Sequence, residues 1–293
     1  MTRAGDSEFD PRRCFALAKT LFMQARLPLK NTLRIAVLAY FLVLAWLYVR
    51  QDHFIYFPIT SEPLLWREKA AHAGAQIIPG VNAIVVEPSV VDASTKTAVF
   101  FHGNDGDAFG RLSLARVFNK RGYRLVLAEY PGYGPNPGRP SQASIVPAAM
   151  ALMREISKRW PGRVTVVGES LGSGVAAQVA AAVPESVDKL VLITPFTSLR
   201  ETAAQQMWFV PVSLLLKSPF DSSAALKNYH GLSSVLVAGQ DELVGSQAGI
   251  TLYKQLATLG PSSLLVLPQA AHNTWMAGLT EQNWDQLLRV APR

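Results

Sequence analysis

The chain has little capacity for covalent cross-linking, because its 293 residues include a single cysteine, Cys14. An intramolecular disulfide is excluded, so the folded state must depend on its hydrophobic core. Hydrophobic residues make up 49% of the chain, which is enough for a core of ordinary size in one large domain. Cys14 precedes the long apolar run of the sequence, and we interpret it as a free thiol in an N-terminal tail in preference to an acylated residue.

A basic face on a folded domain is also missing from the sequence. The formal net charge is +7, but residues 1–50 alone carry eight Lys and Arg residues against three Asp and Glu residues. Nucleic-acid binding would require this excess on the folded domain, whereas a basic segment beside an apolar run is attracted to an anionic membrane surface. We therefore predict a membrane as a partner and no nucleic acid.

One uninterrupted apolar run, IAVLAYFLVLAWLYV, covers residues 35–49, and Leu33 extends it past Arg34. The hydrophobic span is about 15 to 17 residues, or roughly 23 to 26 Å of helix, slightly below the ~30 Å hydrocarbon core. A cleaved signal peptide would have small residues after the run, and a buried core helix would have a polar face. Because both features are absent, we predict an uncleaved transmembrane anchor.

Positive charge is greater on the N-terminal side of this run. The nearest basic residues are Lys19, Arg26, Lys30 and Arg34 before it, and Arg50, Arg67 and Lys69 after it. By the positive-inside rule this predicts a basic cytoplasmic tail over residues 1–32, an anchor over 33–50 and a domain over 51–293 on the non-cytoplasmic side, which in a bacterium is the periplasm.

Short β-branched runs alternate with segments of helical length after the anchor. The predicted strands are Ala83–Glu87, Ala98–His102, Arg124–Glu129, Val164–Gly168, Lys189–Thr194, Ser234–Ala238 and Ser263–Leu267. The predicted helices are roughly Phe109–Arg121, Ser141–Arg159, Leu171–Ala182, Ser246–Leu259 and one from about Glu281. This alternation predicts the α/β class, with a mostly parallel sheet covered by helices on both faces.

One interval breaks the alternation, since about forty residues separate the strand ending near Thr194 from the strand starting near Ser234. A small cap over residues 197–232 could cover the carboxyl ends of the strands. An ordinary crossover helix with an apolar face would explain Leu214, Leu215 and Leu216 equally well, so both interpretations stay open.

The segment Gly168-Glu169-Ser170-Leu171-Gly172 lies between a predicted strand and a helix of small residues. A sharp strand-to-helix turn holds a serine hydroxyl exposed above the sheet, as a nucleophile requires. A Cβ at either glycine would crowd such a turn, and the dipole of the following helix favours negative charge on the reacting carbonyl oxygen. We therefore predict that Ser170 is a nucleophile.

A reactive serine needs a base, and the base needs a group that orients it. His272 follows the last predicted strand, at the carboxyl edge of the sheet, whereas His230 precedes a strand and belongs at the opposite edge. Asp241 follows a strand in the same sense as His272, with the adjacent Glu242 as the second choice. Asp221 is explained as the N-cap of a helix.

Two backbone N–H groups are needed to hold an oxyanion. Leu171 provides one, since it directly follows the serine in the turn. Asn104 is the predicted second donor, because the loop after strand Ala98–His102 contains Gly103 and can approach the substrate closely.

Taken in order, several motifs resemble those of the α/β-hydrolase superfamily, and within it the membrane-anchored ABHD-type serine hydrolases. The motifs are Phe101-His102-Gly103-Asn104, Glu129 to Gly134 (EYPGYG) with Pro140-Ser141, Gly168 to Gly172 (GESLG), Pro219 to Ser222 (PFDS), Asp241 to Val244 (DELV) and His272-Asn273. The segment Gln51 to Pro58 (QDHFIYFP) is similar to the one that follows the anchor in these proteins. The resemblance covers about residues 33–290.

The resemblance implies an α/β-hydrolase fold, a catalytic triad of Ser170, Asp241 and His272, and oxyanion donors Asn104 and Leu171. The sequence departs from the family pattern in three places. Gly239 stands one residue closer to the acid than usual, Gly245 replaces a proline, and Glu129 stands where aspartate is commoner, which we attribute to packing. Asp241 stays the preferred acid.

These residues predict hydrolysis of an acyl ester through an acyl-enzyme, without a metal or organic cofactor. The anchor favours a small-molecule substrate of lipid-like or otherwise apolar character. An aminopeptidase or amidase of the same fold is the enzymatic alternative. A catalytically silent, membrane-tethered interaction protein is the alternative from another class.

Overall fold

A computed structural model describes residues 29–289, which divide into two compact units at the boundary between Arg50 and Gln51. Most of the predicted basic tail, including Cys14, lies outside the described residues. The described part of the first unit is helix α1, Leu29–Arg50, which begins ahead of the predicted anchor. Its 22 residues correspond to about 33 Å. Within residues 29–289, α1 is the one helix both long enough and apolar enough to cross a membrane.

The second unit consists of strands and helices in alternation. The strands are β1 Phe57–Pro58, β2 Gln76–Ile77, β3 Ile84–Val86, β4 Lys96–Phe101, β5 Asp105–Gly106, β6 Tyr123–Leu127, β7 Val164–Glu169, β8 Val187–Ile193, β9 Ser233–Ala238 and β10 Ser262–Leu267. The helices are α2 Asp52–Ile55, α3 Pro63–His72, α4 Leu114–Asn119, α5 Gln142–Arg159, α6 Leu171–Ala182, α7 Leu199–Gln206, α8 Val212–Leu215, α9 Ser222–Ala225, α10 Ser246–Leu259 and α11 Glu281–Leu288.

One eight-stranded sheet organises this unit, in the order β10-β9-β8-β7-β4-β6-β3-β2. Strands β10 to β6 in this order are parallel, whereas β3 pairs antiparallel with β6 and β2 pairs antiparallel with β3. Because parallel strands end at the same edge, the loops after β4, β7, β9 and β10 meet there. A second, two-stranded parallel sheet joins β1 to β5, directly after β4.

The core occupies both faces of the large sheet. Along β4, Val99 and Phe101 pack on one face while Ala98 and Phe100 pack on the other, as the two-residue period of a strand requires. Helices α5, α6 and α10 cover the first face, and α3, α4 and α11 cover the second. The predicted mostly parallel sheet with helices on both faces is therefore confirmed.

All seven predicted strands are present, with ends within two residues of those predicted. The predicted helix Phe109–Arg121 is interrupted. A 3₁₀ turn, Ala108–Arg111, comes first, because the Asp107 side chain accepts a hydrogen bond from the N–H of Gly110 and caps it separately from α4. The interval 197–232 holds the short helices α7, α8 and α9 in place of one long crossover helix. We refer to residues 199–217 as the insertion.

Candidate active site

Ser170 lies at the junction of β7 and α6 in a backbone conformation that non-glycine residues rarely adopt. Its φ is 50° and its ψ is −118°, and such a conformation costs energy that the surrounding structure must offset. The N–H of Ser170 donates to the carbonyl of Ile193 at the end of β8 (2.9 Å). This bond fixes the turn to the sheet and leaves the half-buried side chain above it.

The two glycines of the turn are required by close backbone packing. A Cβ on Gly168 would overlap the carbonyl of Gly172, and a Cβ on Gly172 would overlap the carbonyl of Phe101 at the end of β4. The predicted crowding of the turn is confirmed for Gly168, whereas glycine at position 172 is required by the neighbouring strand β4. This packing sets the first turn of α6 against the end of the neighbouring strand.

His272 lies in the loop after β10 and reaches the serine. Its Nε2 is 2.8 Å from Oγ of Ser170, and its Nδ1 is 2.7 Å from Oδ2 of Asp241. A carboxylate accepts hydrogen bonds, so the Nδ1–H of a neutral ring donates to Asp241 and Nε2 is left as an acceptor facing the hydroxyl. The arrangement can remove a proton from Ser170.

Asp241 is held as an anion by its surroundings. Burial alone would raise its pKa, but the hydrogen bond from His272 and two backbone N–H donors lower it below the usual range. These donors are Leu243 (3.0 Å) and Val244 (2.9 Å), both to Oδ1. Each carboxylate oxygen therefore has a separate task, one fixing the loop and one orienting the imidazole.

The loops of Asp241 and His272 are joined along their backbones. The N–H of Gly239 donates to Leu267 (2.8 Å) and that of Gln240 donates to Ala270 (2.9 Å). A Cβ on Gly239 would lie 2.6 Å from the carbonyl oxygen of Pro268. Glycine at this position lets the two loops meet, and the short spacing from Gly239 to Asp241 still brings the carboxylate to the histidine.

The other candidates from the sequence lie elsewhere or face other groups. His230 is exposed at the amino end of β9, and its Nδ1 contacts the carbonyl of Leu259 (2.8 Å). The Asp221 side chain accepts from the N–H of Ala224 (2.8 Å) and caps α9, as predicted. Glu242 is exposed beside Asp241.

The two predicted oxyanion donors lie on either side of the serine turn. Leu171 is the first residue of α6, where an N–H has no acceptor within the helix. A Cβ on Gly103 would lie 3.7 Å from Cβ of Ser170, so the loop carrying Asn104 borders the serine. Asn104 is held by its side chain, which donates to Ile55 (2.8 Å), and by its carbonyl, which accepts from Phe57 (2.9 Å).

A buried polar cluster holds the backbone of the Asn104 loop in place. His102 contacts Glu129 through Nε2 (3.2 Å) and the carbonyl of Gly103 through Nδ1 (2.8 Å). The Tyr133 hydroxyl donates to the Asn104 carbonyl (2.7 Å). Glu129 is buried and does not contact Ser170, which agrees with the structural role expected for it.

Sequence reasoning did not identify an ion pair next to the serine, between the half-buried Arg111 and the buried Glu169. Glu169 accepts hydrogen bonds from Nε and Nη2 of Arg111 and from the Trp275 indole (2.9 Å). Glu169 precedes Ser170, and Trp275 follows His272 by three residues, so one carboxylate connects the serine turn with the histidine loop. The sequence shows an acidic residue inside the G-x-S-x-G motif, but it does not show the partners of that residue. Among residues 29–289, no group of three or more His, Cys, Asp or Glu side chains is placed to hold a metal ion.

Comparison with known proteins assigns this architecture. A family profile described as alpha/beta hydrolase fold matches residues 98–214. A protein of Mycobacterium tuberculosis is 30% identical over 248 residues, which cover 79% of this chain and 83% of that protein. The lysophosphatidylserine lipase ABHD12 of Danio rerio is 33% identical over 117 residues, or 38% of this chain and 31% of the lipase.

A solved structure of an esterase from Pyrococcus furiosus superposes with a TM-score of 0.59 at 16% identity, covering 74% of this chain and 92% of the esterase. At this identity the likeness concerns the fold. Together with the family profile it confirms the predicted fold class, and the named relatives support hydrolase activity.

Proposed function

The chain belongs to the α/β-hydrolase superfamily, and on that basis we propose that it is a membrane-anchored serine hydrolase that cleaves an acyl ester. Ser170 is the nucleophile, His272 the general base and Asp241 the acid that orients it. The observation that carries this proposal is the continuous series of hydrogen bonds, 2.8 and 2.7 Å long, that joins the three side chains.

In the first half of the reaction, Nε2 of His272 takes the hydroxyl proton as Oγ of Ser170 attacks the acyl carbon. The carbonyl oxygen becomes an oxyanion, which the N–H groups of Leu171 and Asn104 stabilise. Asp241 stabilises the imidazolium that forms. The imidazolium then protonates the leaving alkoxide, and the acyl group stays on the serine.

In the second half, water enters and gives its proton to His272 while its oxygen attacks the acyl-enzyme. The same two N–H groups hold the second oxyanion. When this intermediate collapses, the proton on His272 returns to Oγ of Ser170 and the carboxylic acid leaves. Every step uses groups of the chain and water.

A lipid-like or otherwise apolar ester is the proposed substrate. Two features support this choice: the apolar helix α1, and a relative named as a lysophosphatidylserine lipase over the matching part of its sequence. Short- and long-chain esters, lysophospholipids and aminoacyl amides, compared as substrates, test it. Preferential cleavage of the amides would contradict the ester assignment and favour the amidase or aminopeptidase alternative.

The nucleophile is tested by labelling with a fluorophosphonate probe, which reacts with activated serines. Wild-type protein and the control variant Ser89→Ala, altered at an exposed serine beyond β3, should be labelled equally. The variant Ser170→Ala should not be labelled. Labelling of Ser170→Ala, or of none of the three proteins, would contradict the assignment and, in the second case, favour a catalytically silent protein.

The anchor is tested by alkaline carbonate extraction. We propose that residues 1–32 are a cytoplasmic tail, that residues 33–50 span the membrane and that the domain faces the other side. Full-length protein should stay in the membrane pellet, and in intact spheroplasts added protease should digest the domain. Release by carbonate would contradict the anchor, and full protection of the domain would contradict the orientation.

A further inference from the structure

Several large apolar side chains are exposed in segments that border the candidate active site. We define them as the apolar rim: Phe57, Ile59, Trp208, Leu214 and Leu243. Trp208 is 85% exposed and Leu214 is 81% exposed, so neither contributes to the core. Single exposed apolar residues are ordinary, whereas a group of them around a site marks an interaction surface.

Phe57 and Ile59 belong to the segment that pairs with the Asn104 loop. The N–H of Phe57 donates to the Asn104 carbonyl and the N–H of Ile59 donates to that of Gly106, both at 2.9 Å. Their side chains are exposed beside the proposed oxyanion donor. This part of the apolar rim is therefore fixed to one side of the active site.

Trp208 and Leu214 belong to the insertion, and a hydrogen bond attaches the insertion to another segment on either side of them. On the N-terminal side, Nε2 of Gln206 donates to the carbonyl of Leu243 (2.8 Å), two residues after the proposed catalytic acid. On the C-terminal side, Nε2 of Gln51 donates to the carbonyl of Leu215 (3.0 Å). Trp208 and Leu214 lie between these two attachments along the chain.

The second attachment links the insertion to the residue that directly follows helix α1 in the chain. Gln51 is the first residue after helix α1, and its Oε1 also accepts from the backbone N–H of Lys217 (2.7 Å). Phe57 and Ile59 follow Gln51 within eight residues, which an extended chain spans in less than about 30 Å. Both parts of the apolar rim are thus tied to residues that directly follow the apolar helix.

We propose that the apolar rim enters the lipid surface beside the anchor, so that an acyl chain passes from the bilayer to Ser170 without crossing bulk water. Tryptophan and leucine favour the boundary between headgroups and acyl chains, where apolar area is removed from water. The proposal rests on the anchor and the hydrolase activity proposed above. It identifies the substrate as an ester resident in the membrane.

The position of the apolar rim can be measured independently of catalysis. In full-length protein carrying Cys14→Ser and Ser170→Ala, Trp208→Cys is labelled with an environment-sensitive fluorophore and reconstituted into phosphatidylcholine vesicles. A nitroxide-bearing lipid should quench this label. The same label at Val90→Cys, an exposed site at the opposite edge of the sheet, should not be quenched.

The functional consequence is measured with two substrates. In Trp208→Ser/Leu214→Ser, hydrolysis of a long-chain ester embedded in vesicles should fall roughly tenfold, since two apolar anchors are lost. Hydrolysis of a water-soluble short-chain ester should stay within about twofold, because surface changes leave the folded site intact. The matched control Val90→Ser/Val91→Ser should leave both rates unchanged.

The outcomes separate the proposals. Protein retained on vesicles but without quenching at position 208 overturns the apolar rim alone. In unlabelled Trp208→Cys protein, a disulfide that forms between two copies when an oxidant is added, together with no quenching of the labelled protein, identifies a second copy as the occupant and also overturns the apolar rim. Release of the protein by carbonate contradicts the proposed transmembrane anchor, on which the apolar rim depends. Quenching at position 208, combined with a wild-type protein that hydrolyses none of the tested esters, supports the apolar rim and rejects the hydrolase.

Discussion

The two edges of the large sheet both bury charged side chains, but they arrange them differently. At the carboxyl edge, side chains from loops after β7, β9 and β10 converge on one hydroxyl. At the amino edge each charge has a local partner: Arg124 is 2.6 Å from Glu87 and stacks on Trp160, and Nζ of Lys189 donates to the carbonyl of Arg289 (2.6 Å). Both edges therefore bury charged side chains, but only at the carboxyl edge do side chains from several loops converge on one hydroxyl.

The difference teaches where to look for chemistry in such a sheet. At the amino edge the 2.6 Å hydrogen bonds of Arg124 and Lys189 end on Glu87 and on the Arg289 carbonyl, neither of which is a nucleophile. At the carboxyl edge the series of hydrogen bonds ends instead on Ser170, whose side chain is only half buried. Titratable side chains mark a candidate active site when their hydrogen bonds lead to such an accessible atom.

Replacing Asp241 by asparagine removes the carboxylate that orients His272 but keeps a side chain of nearly the same shape. In Asp241→Asn we expect kcat to fall by about 10⁴, because the amide favours the wrong tautomer of His272. Steady-state hydrolysis of a soluble ester measures the effect. The matched control is Asp221→Asn, a helix cap where asparagine serves as well as aspartate, so activity and stability should stay near wild type. Equal losses in both variants would reject Asp241 as the orienting acid.

The same variant has a signature in stability. Since the pKa of Asp241 is lowered on folding, the ionised carboxylate stabilises the fold fully above its ordinary value of 3.8. That contribution is lost as the pH falls through the lower folded-state pKa. The difference in unfolding free energy between wild type and Asp241→Asn should therefore shrink in acid, and urea titrations at neutral and acid pH measure it.

The next largest expected effect is a loss of stability when a larger residue replaces Gly172 at the carboxyl edge. In Gly172→Ala the new Cβ would overlap the carbonyl of Phe101, and we expect a loss of about 3 kcal/mol or more in unfolding free energy. Gly110→Ala is the control, since a Cβ there meets nothing within 4 Å. Urea unfolding measures both variants. A stable, active Gly172→Ala protein would show that the turn is looser than its packing indicates.

Local patterns predict this edge well because its elements depend on neighbouring residues. The β-branched run of β7, the two glycines and the small residues of α6 indicate a strand, a turn and a helix without knowledge of the rest of the chain. The bounds of α6 and α10 agree with prediction for the same reason. Placing His272 required only that parallel strands end together.

Features that depend on distant contacts could not be predicted. The pair Arg111–Glu169 joins residues 58 positions apart, and Glu169 meets Trp275 across 106 positions. Strands β1 and β5 have two residues each, too few for an alternating pattern. The choice between Asp241 and Glu242 depends on which side chain the N–H groups of the loop orient, which a sequence does not encode in its periodicity.

At the amino edge, substitution of Lys189 should change stability without changing the activity. Burial, and to a lesser extent Arg289, lowers the pKa of Lys189 from 10.5 to about 8. The folded state therefore binds fewer protons than the unfolded state between these values, and stability should rise with pH across that window. Relative to wild type, Lys189→Met should therefore be more stable at pH 7 than at pH 10.5, by up to about 3 kcal/mol, because the cost of burying the ammonium disappears once the lysine is neutral.

Unfolding titrations across this range test the Lys189 prediction, with ester hydrolysis as the second measurement. Activity of Lys189→Met should match wild type, since the side chain faces no reacting group. A pH-independent stability difference would show that the lysine is hydrated in the fold. A large loss of activity would contradict the separation of the two edges.

Substitution of Glu169 tests whether the ion pair at the carboxyl edge contributes only to stability, as we expect for the charged residues at the amino edge. Glu169 touches no reacting atom, yet its partners Arg111 and Trp275 connect the serine turn with the histidine loop. In Glu169→Gln we expect kcat to fall roughly tenfold with KM unchanged, because small displacements of His272 weaken proton transfer. The control is Glu281→Gln, whose exposed pair with Arg121 (2.8 Å) should leave kcat unchanged.

The split between kcat and KM separates positioning from folding at Glu169. Trp275→Phe removes the indole donor but keeps Glu169 and Arg111 paired, and it should lower kcat in the same direction by a smaller factor. If Glu169→Gln lowers the melting temperature while kcat stays at the wild-type value, the pair is only structural. The carboxyl edge would then differ from the amino edge at Ser170, His272 and Asp241 alone, and convergence would be confined to those three side chains.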